Sequence, residues 1–561
     1  MKSMLRSALA AFVALAVACV AGERGVVADI VILNARVWTG AASGPGAEAV
    51  AVKGERIIGV GTTEEMKKLA GKSTRLVDAG RGSLLPGLID SHTHFLSGGF
   101  SLHSVQLRAA SSREEFARLI AEKAGELGKG AWVLNGEWDH ELFNPVELPR
   151  RDWIDALTPD NPVCVNRLDG HMALCNSLAL RLAGVGRETV APPGGEIVRD
   201  PRTGEPTGIL KDTAMNLVYR VVPEPSFEEK LGAARLALRH AAEHGLTTVH
   251  DMADAGDFEV FQELLRKDEL SCRVVVYIPV TEVDVLRRLR MKTPFGSPLL
   301  KLGGLKGFVD GSLGSGTAFF FEPYADDPSR SNRGLLHGQM FPEGIMEERL
   351  LAVDKAGLQA AVHAIGDRAN ALLLDMFERI EARNGGRDRR WRIEHAQHLR
   401  PEDIGRFGSM KVIASVQPYH ASDDGRWAEN KIGRERCRTA YAFKSLLEGG
   451  ATLALGSDWT VAPLDPIQGL WAAVTRRTLD GKNPDGWYPE QRLSLEEALR
   501  GYTWNGAFAE FAEKDKGSIE VGKLADLTVL DRDLFALPPE DINTARVLMT
   551  VMNGRVVYEK E

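Results

Sequence analysis

Cysteine is scarce: the 561-residue chain has five, at positions 19, 164, 175, 272 and 437, and no two of them form Cys-x-x-Cys. That spacing argues against a thiolate zinc site, and the scattered thiols read mainly as small buried apolar residues. Cys164 and Cys175 lie near enough to pair in an oxidising compartment, but a sequence sets no connectivity. A basic field is also missing. The formal net charge of −8 argues against nucleic acid or anionic lipid as the main partner. No low-complexity tract or internal repeat stands out, and no long apolar stretch follows the N-terminus, so no transmembrane segment is expected after processing.

What is present fits a large folded enzyme. Hydrophobic residues make up 44% and charged residues 26% of the chain, ordinary globular values, and the length suits two or three domains. The N-terminus stands apart. Lys2 and Arg6 precede an uncharged run from Ala8 to Ala18 that ends in Ala16-Val17-Ala18. A basic start, a short apolar middle and small residues at the end make a secretory signal peptide, taken as residues 1–22. The protein is therefore expected to be exported, periplasmic or secreted. Cys19 leaves lipoprotein anchoring open, although Ala16 stands where a branched residue is usual.

The most informative stretch is Leu85-Pro86-Gly87-Leu88-Ile89-Asp90-Ser91-His92-Thr93-His94. It reads as a buried strand closed by two histidines. Residues two apart in a strand share a face, about 7 Å apart along the chain, so both imidazoles can grip one metal ion. Further strands end in a metal-competent residue: Lys306 after Leu305, His363 after Ala360-Ala361-Val362, His395 after Ile393-Glu394, and Asp458 after Leu455-Gly456-Ser457. Each is a short apolar run closed by a polar residue and a turn former, the form of a parallel strand buried on both faces.

The order His-x-His, Lys, His, His, Asp resembles the metal-dependent amidohydrolase superfamily. The strings Asp169-Gly170-His171, Lys306 to Ser312, His363-Ala364-Ile365-Gly366-Asp367, Ile393-Glu394-His395-Ala396, Ser415-Val416-Gln417-Pro418 and Gly456-Ser457-Asp458 are similar to amidohydrolase family 3, the branch of N-substituted formamide deformylase-like proteins. The resemblance runs from about residue 28 to the C-terminus. It implies a (β/α)₈ barrel, with a small β-sandwich built from residues 28–84 and 515–561. The barrel is expected over 85–514, with strands at 85–94, 245–251, 272–278, 305–310, 359–364, 391–395, 412–417 and 451–457. Barrel active sites lie at the C-terminal ends of the strands, where all six candidate ligands fall. The gap between the first two strands is too long for one crossover helix, so residues from about 100 to 232 are expected to form a cap.

The resemblance implies a divalent metal, zinc by ligand type, as one or two ions. The metal ligands would be His92, His94, Lys306, His363, His395 and Asp458, with Lys306 carboxylated by CO₂ into a bridging carbamate. Asp458 would also be catalytic, taking a proton from the attacking water and giving it to the leaving nitrogen. Trp138, Asp169, His171, Asp310, Gln417 and His420 are candidate substrate contacts. The expected reaction is hydrolysis of a non-peptide C–N bond in a small amide, formamide or N-acyl compound. Cyclic amide or imide hydrolysis and ring deamination stay open. Deamination is disfavoured because superfamily deaminases usually show His-x-x-Glu after strand 5, where this chain has His363-Ala364-Ile365-Gly366-Asp367. A silent binding protein would not need a complete ligand set. Trp138, Phe319, Phe320, Phe321, Tyr419 and Trp459 suggest an apolar or aryl N-substituent, ordinary packing being the alternative. A homo-oligomer is left open.

Overall fold

Strands rich in small and branched apolar residues on both faces can be buried only between a helical layer and a filled interior. That is where the chain puts them. The computed structural model describes residues 26–41 and 46–561. The expected signal peptide and Cys19 lie outside the described residues.

Eight parallel strands form one sheet in chain order: Leu88–Thr93, Leu246–Met252, Arg273–Pro279, Leu300–Phe308, Ala360–Ala364, Arg392–His395, Ile413–Val416 and Thr452–Leu455. Helices such as Phe227–Glu243 and Asp367–Asn384 connect them. The first expected strand, 85–94, is broken in two. Ser83–Pro86 pairs with Leu527–Leu530 and Arg36–Val37 in a separate sheet, and the barrel strand begins only at Leu88. Gly87 makes the break: a Cβ there would lie 2.2 Å from Thr247 Oγ1.

No ladder joins the eighth strand to the first. Their upper ends are stitched instead by the segments carrying the candidate ligands. The Asp458 N–H donates to the His92 carbonyl and the His94 N–H to the Trp459 carbonyl, both at 2.7 Å. The Asp90 carboxylate accepts from the His92 N–H at 3.1 Å and the Ser457 N–H at 2.9 Å. Gly456 permits this approach, since a Cβ would sit 2.7 Å from both Asp90 Oδ1 and the His92 nitrogen.

Between the first two barrel strands stands a five-stranded sheet containing Val133–Trp138, Val163–Arg167, Met172–Cys175, Gly195–Arg199 and Pro206–Asp212. The helix Arg113–Leu127, capped by the Ser112 hydroxyl, packs Phe116 and Ile120 against Trp138 and Trp153 in a core of its own. Cys164 and Cys175 face each other across two of these strands as free buried thiols, Sγ to Sγ 3.3 Å.

The two chain ends supply a second pair of sheets. One holds Ile30–Leu33, Ala49–Lys53, Arg56–Gly61 and Arg75–Asp78; the other holds Leu527–Leu530, Val547–Met552 and Arg555–Glu559 with the two short strands named above. Ile32, Val50, Leu527 and Val551 meet between them. A buried bidentate pair ties this unit to the third barrel strand: Arg273 donates to both Asp526 oxygens at 2.7 and 2.9 Å. Arg273→Met should strand the Asp526 carboxylate and lower stability by about 3–5 kcal/mol. Urea unfolding measures this, and a change below about 1 kcal/mol, the scale of an exposed pair, would mean water reaches the pair.

Candidate active site

The six positions sit at the C-terminal mouths of barrel strands 1, 4, 5, 6 and 8, each delivered by a strand that buries the residues before it. Five of them converge. Asp458 Oδ1 lies 3.5 Å from His92 Nε2 and 3.5 Å from His94 Nε2, and Asp458 Oδ2 lies 3.8 Å from His395 Nδ1. Lys306 Nζ is 3.3 Å from His92 Nε2. His363 stands one ring further out, 4.5 Å from the His395 ring, with its Nε2 3.0 Å from the Gly311 carbonyl. His395 and Asp458 have φ of 75° and 60°, left-handed values that persist in a non-glycine residue only where the surroundings impose them.

Secondary contacts set the imidazoles. His92 Nδ1 is 2.5 Å from Glu394 Oε2, and His395 Nδ1 is 2.9 Å from Gln417 Oε1. Each contact occupies one ring nitrogen and leaves Nε2 as the available lone pair. Burial holds the His92, His363 and His395 imidazoles well below their usual range, and His94 at about 3, so all are neutral and competent as ligands. Burial pushes the Asp458 carboxyl up and the Lys306 amine down.

The donor set fits a divalent cation. His92, His395 and Asp458 offer ligand atoms within 4.8 Å of one another. Asp458 Oδ1 is buried without a hydrogen-bond partner, and an orphaned carboxylate oxygen among neutral imidazoles is an environment that a metal ion satisfies. Glu394→Gln should weaken metal affinity by about 10–100-fold through its loss as the orienting carboxylate of His92. Competition with a chelator measures this, and an unchanged affinity would reduce Glu394 to a partner of Arg392 alone, whose Nε lies 2.7 Å from it.

Above these residues opens a cavity of about 360 Å³, in the size range of small-molecule sites. His171 forms one wall, its Nδ1 2.6 Å from Asp212 Oδ1 and its ring 5.0 Å from that of His363. Burial opposes its charged form, but Asp212 outweighs that and raises its pKa. Asp169 also lines the cavity, although its Oδ2 already accepts from Arg167, Ser312 and Ser315. His420 faces the cavity with Nε2 unpartnered.

Three expected substrate contacts lie elsewhere. Trp138 is fully buried in the cap core, where Nε1 donates to the Val165 carbonyl at 2.8 Å. Asp310 brackets backbone, accepting from the N–H groups of Phe319, Ile365 and Gly366. Gln417 is spent on His395. Of the aromatic residues expected near the N-substituent, none lines the cavity; Phe308 and Trp427 do. Glu394, Asp212 and Glu137 went unrecognised as site residues. Glu394 was legible as a carboxylate inside a barrel strand, whereas Asp212 and Glu137 carried no motif.

The family model described as amidohydrolase family matches residues 75–558. The chain is 41% identical to the protein LONG AFTER FAR-RED 3 of Arabidopsis thaliana, over 95% of this chain and 92% of that protein. It is 27% identical to the N-substituted formamide deformylase of Arthrobacter pascens, over 95% and 98%. An uncharacterised metal-dependent hydrolase from Pyrococcus horikoshii superposes with a TM-score of 0.73 at 29% identity, covering 91% of this chain and 99% of that one.

Proposed function

Since the chain belongs to the amidohydrolase family, whose members are metal-dependent hydrolases, we propose that it hydrolyses a non-peptide C–N bond in a small amide, with Asp458 carrying the proton. The observation behind this reading is the unpartnered Asp458 Oδ1, buried 3.5 Å from two histidine nitrogens at the cavity floor. A divalent metal, zinc by ligand type, would be held by His92, His94, His395 and Asp458, with His363 and a carbamate on Lys306 completing a two-ion site, and would supply Lewis-acid activation of water and carbonyl.

The chain's own groups do the rest. The Asp458 carboxylate accepts the proton of the attacking water and returns it to the amide nitrogen as the C–N bond breaks, so the amine leaves neutral. His171, held through Nδ1 by Asp212, presents Nε2 to the scissile carbonyl oxygen and donates a hydrogen bond that strengthens as charge develops there. Residues of the five-stranded sheet and its connections, among them Glu137, Asn166 and Asp169, form the side of the cavity that faces the floor.

The formamide substrates named for the Arthrobacter relative make N-formyl amines the first compounds to try. Zinc- and manganese-loaded protein should be screened against N-formyl amines, N-acyl amines, N-acyl amino acids and cyclic ureides, reading amine release. Turnover of an open-chain amide supports the proposal; turnover confined to cyclic ureides, or none in any class, overturns it.

A further inference from the structure

One wall of the cavity is made of backbone that no regular strand adopts. Asn135, Gly136 and Glu137 have φ values of 64°, 105° and 48°, three successive residues in the left-handed half of conformational space. They form a bulge: Asn135 lies opposite Val165 and Trp138 opposite Arg167, so the strand Val133–Trp138 carries one residue more than its neighbour. Tertiary contacts hold the distortion in place. The Leu107 N–H donates to the Gly136 carbonyl at 2.9 Å, and a Cβ on Gly136 would lie 2.7 Å from Leu107 Cδ1. The bulge leaves Trp138 in the cap core while Glu137 lines the cavity. Strain kept at a cavity wall points to a side chain that must be presented there.

The carboxylate so presented is met by the Gly136 backbone N–H and, at longer range, by Arg108, but by no side-chain hydrogen bond. Among the described residues no side chain hydrogen-bonds to Glu137. Burial pushes its carboxyl up to about 7, with the Arg108 guanidinium opposing; that guanidinium donates to the Thr460 carbonyl. Arg167, which lines the cavity, is engaged with Asp139 and Asp169, and Arg426 behind it with Asp139 and Asp423. Asp424, also at the cavity, accepts from Gln397 and Tyr441. The cavity lining has more carboxyl groups than cations, with burial raising Glu137 to about 7 and Asp424 to about 8, so an incoming cation would favour their ionised forms.

We propose that Glu137 is a specificity-determining residue that receives a cationic nitrogen on the amine portion of the substrate, whose acyl group lies at the histidine and Asp458 floor. The inference rests on the proposed amide hydrolysis for the direction in which the substrate lies. The preferred substrate class is thus an acylated diamine or amino-alkyl amide.

A matched pair of probes isolates the charge: N-[2-(trimethylammonio)ethyl]formamide and its neutral isostere N-(3,3-dimethylbutyl)formamide. Neither substituent titrates or chelates metal. Calorimetry on the zinc-loaded full-length protein should find the cation bound about tenfold or more tighter than the isostere. Glu137→Gln, which keeps size and hydrogen-bonding reach, should abolish that preference with an unchanged melting temperature; Glu137→Asp should retain part of it. Equal affinities in the wild type, no binding of the cation, or a preference that survives in Glu137→Gln overturns the inference. Binding and turnover separate the two readings. A Glu137-dependent preference without hydrolysis of either probe, and with no turnover of any open-chain amide in the screen above, removes amide hydrolysis and leaves the cation site. Hydrolysis of both probes without preference does the reverse.

Discussion

Asp458→Asn is expected to leave the protein folded and metal-bound while lowering turnover by about 10²–10⁴, the contribution of a positioned general base. The substitution is mild in every other respect. Asn tolerates a left-handed backbone about as well as Asp, so the φ of 60° adds no new strain. The hydrogen bond from the residue-458 N–H to the His92 carbonyl is made by backbone and survives. The carboxamide still offers an oxygen to a cation, but it has no basic site for the water's proton. Metal content by elemental analysis and the melting temperature should match wild type. Activity within about tenfold of wild type would remove Asp458 as the proton carrier, given that base's usual contribution.

Lys306→Ala should behave differently because it removes a ligand rather than a base. Metal content is expected to fall by one equivalent per chain, with activity lower by on the order of 10²-fold, the scale of losing one electrostatic stabiliser of the transition state. The Lys306 amine lies 3.3 Å from His92 Nε2 and packs over the Phe308 ring at 4.5 Å. Among the described residues it has no carboxylate within ion-pair distance. Its truncation breaks no direct ion pair, though it removes the longer-range attraction to Asp458 and Glu394, and a short carboxylate such as formate or acetate can enter the vacated volume. Partial rescue by these anions, read both as activity and as recovered metal, is the expected signature of a carbamate in the native protein. Unchanged metal content would instead indicate a single ion held by the histidines and Asp458.

The barrel was legible because its strands are short apolar runs with turn formers at their ends, and the ligand order survived because each ligand closes such a run. The errors have local causes. The continuous apolar stretch from Leu84 to Ile89 concealed a change of sheet at Gly87, where pairing with Leu527–Leu530 ends and the barrel strand begins at Leu88. Trp138 was expected at the substrate as one of the polar and aromatic residues of the insertion; the extra residue at Asn135–Glu137 turns Glu137 to the cavity and leaves Trp138 in the core. Asp310 and Gln417 close strands just as the ligands do. What distinguishes them is the partner each has found, backbone N–H groups in one case and His395 in the other. Partner identity is a tertiary property that spacing does not encode. Glu137 is the extreme case: Asn135-Gly136 carries a left-handed signal, but nothing in the string extends it to the glutamate.

The seam between the first and eighth strands makes the ligand cluster part of the barrel's own closure. Where other neighbouring strands share a ladder, these two meet through Asp90, His92, His94, Ser457, Asp458 and Trp459. An ion bound by His92, His94 and Asp458 would therefore act as a clasp across the one unladdered joint. Any ligand that binds the folded chain in preference to the unfolded one stabilises it by mass action, about 2.7 kcal/mol at a hundredfold excess over its dissociation constant. Chemistry and architecture then share one thermodynamic variable. Metal scarcity would loosen the cylinder at the place where substrate enters, so that resistance to proteolysis at this joint becomes a gauge of how much of the enzyme is charged with its ion.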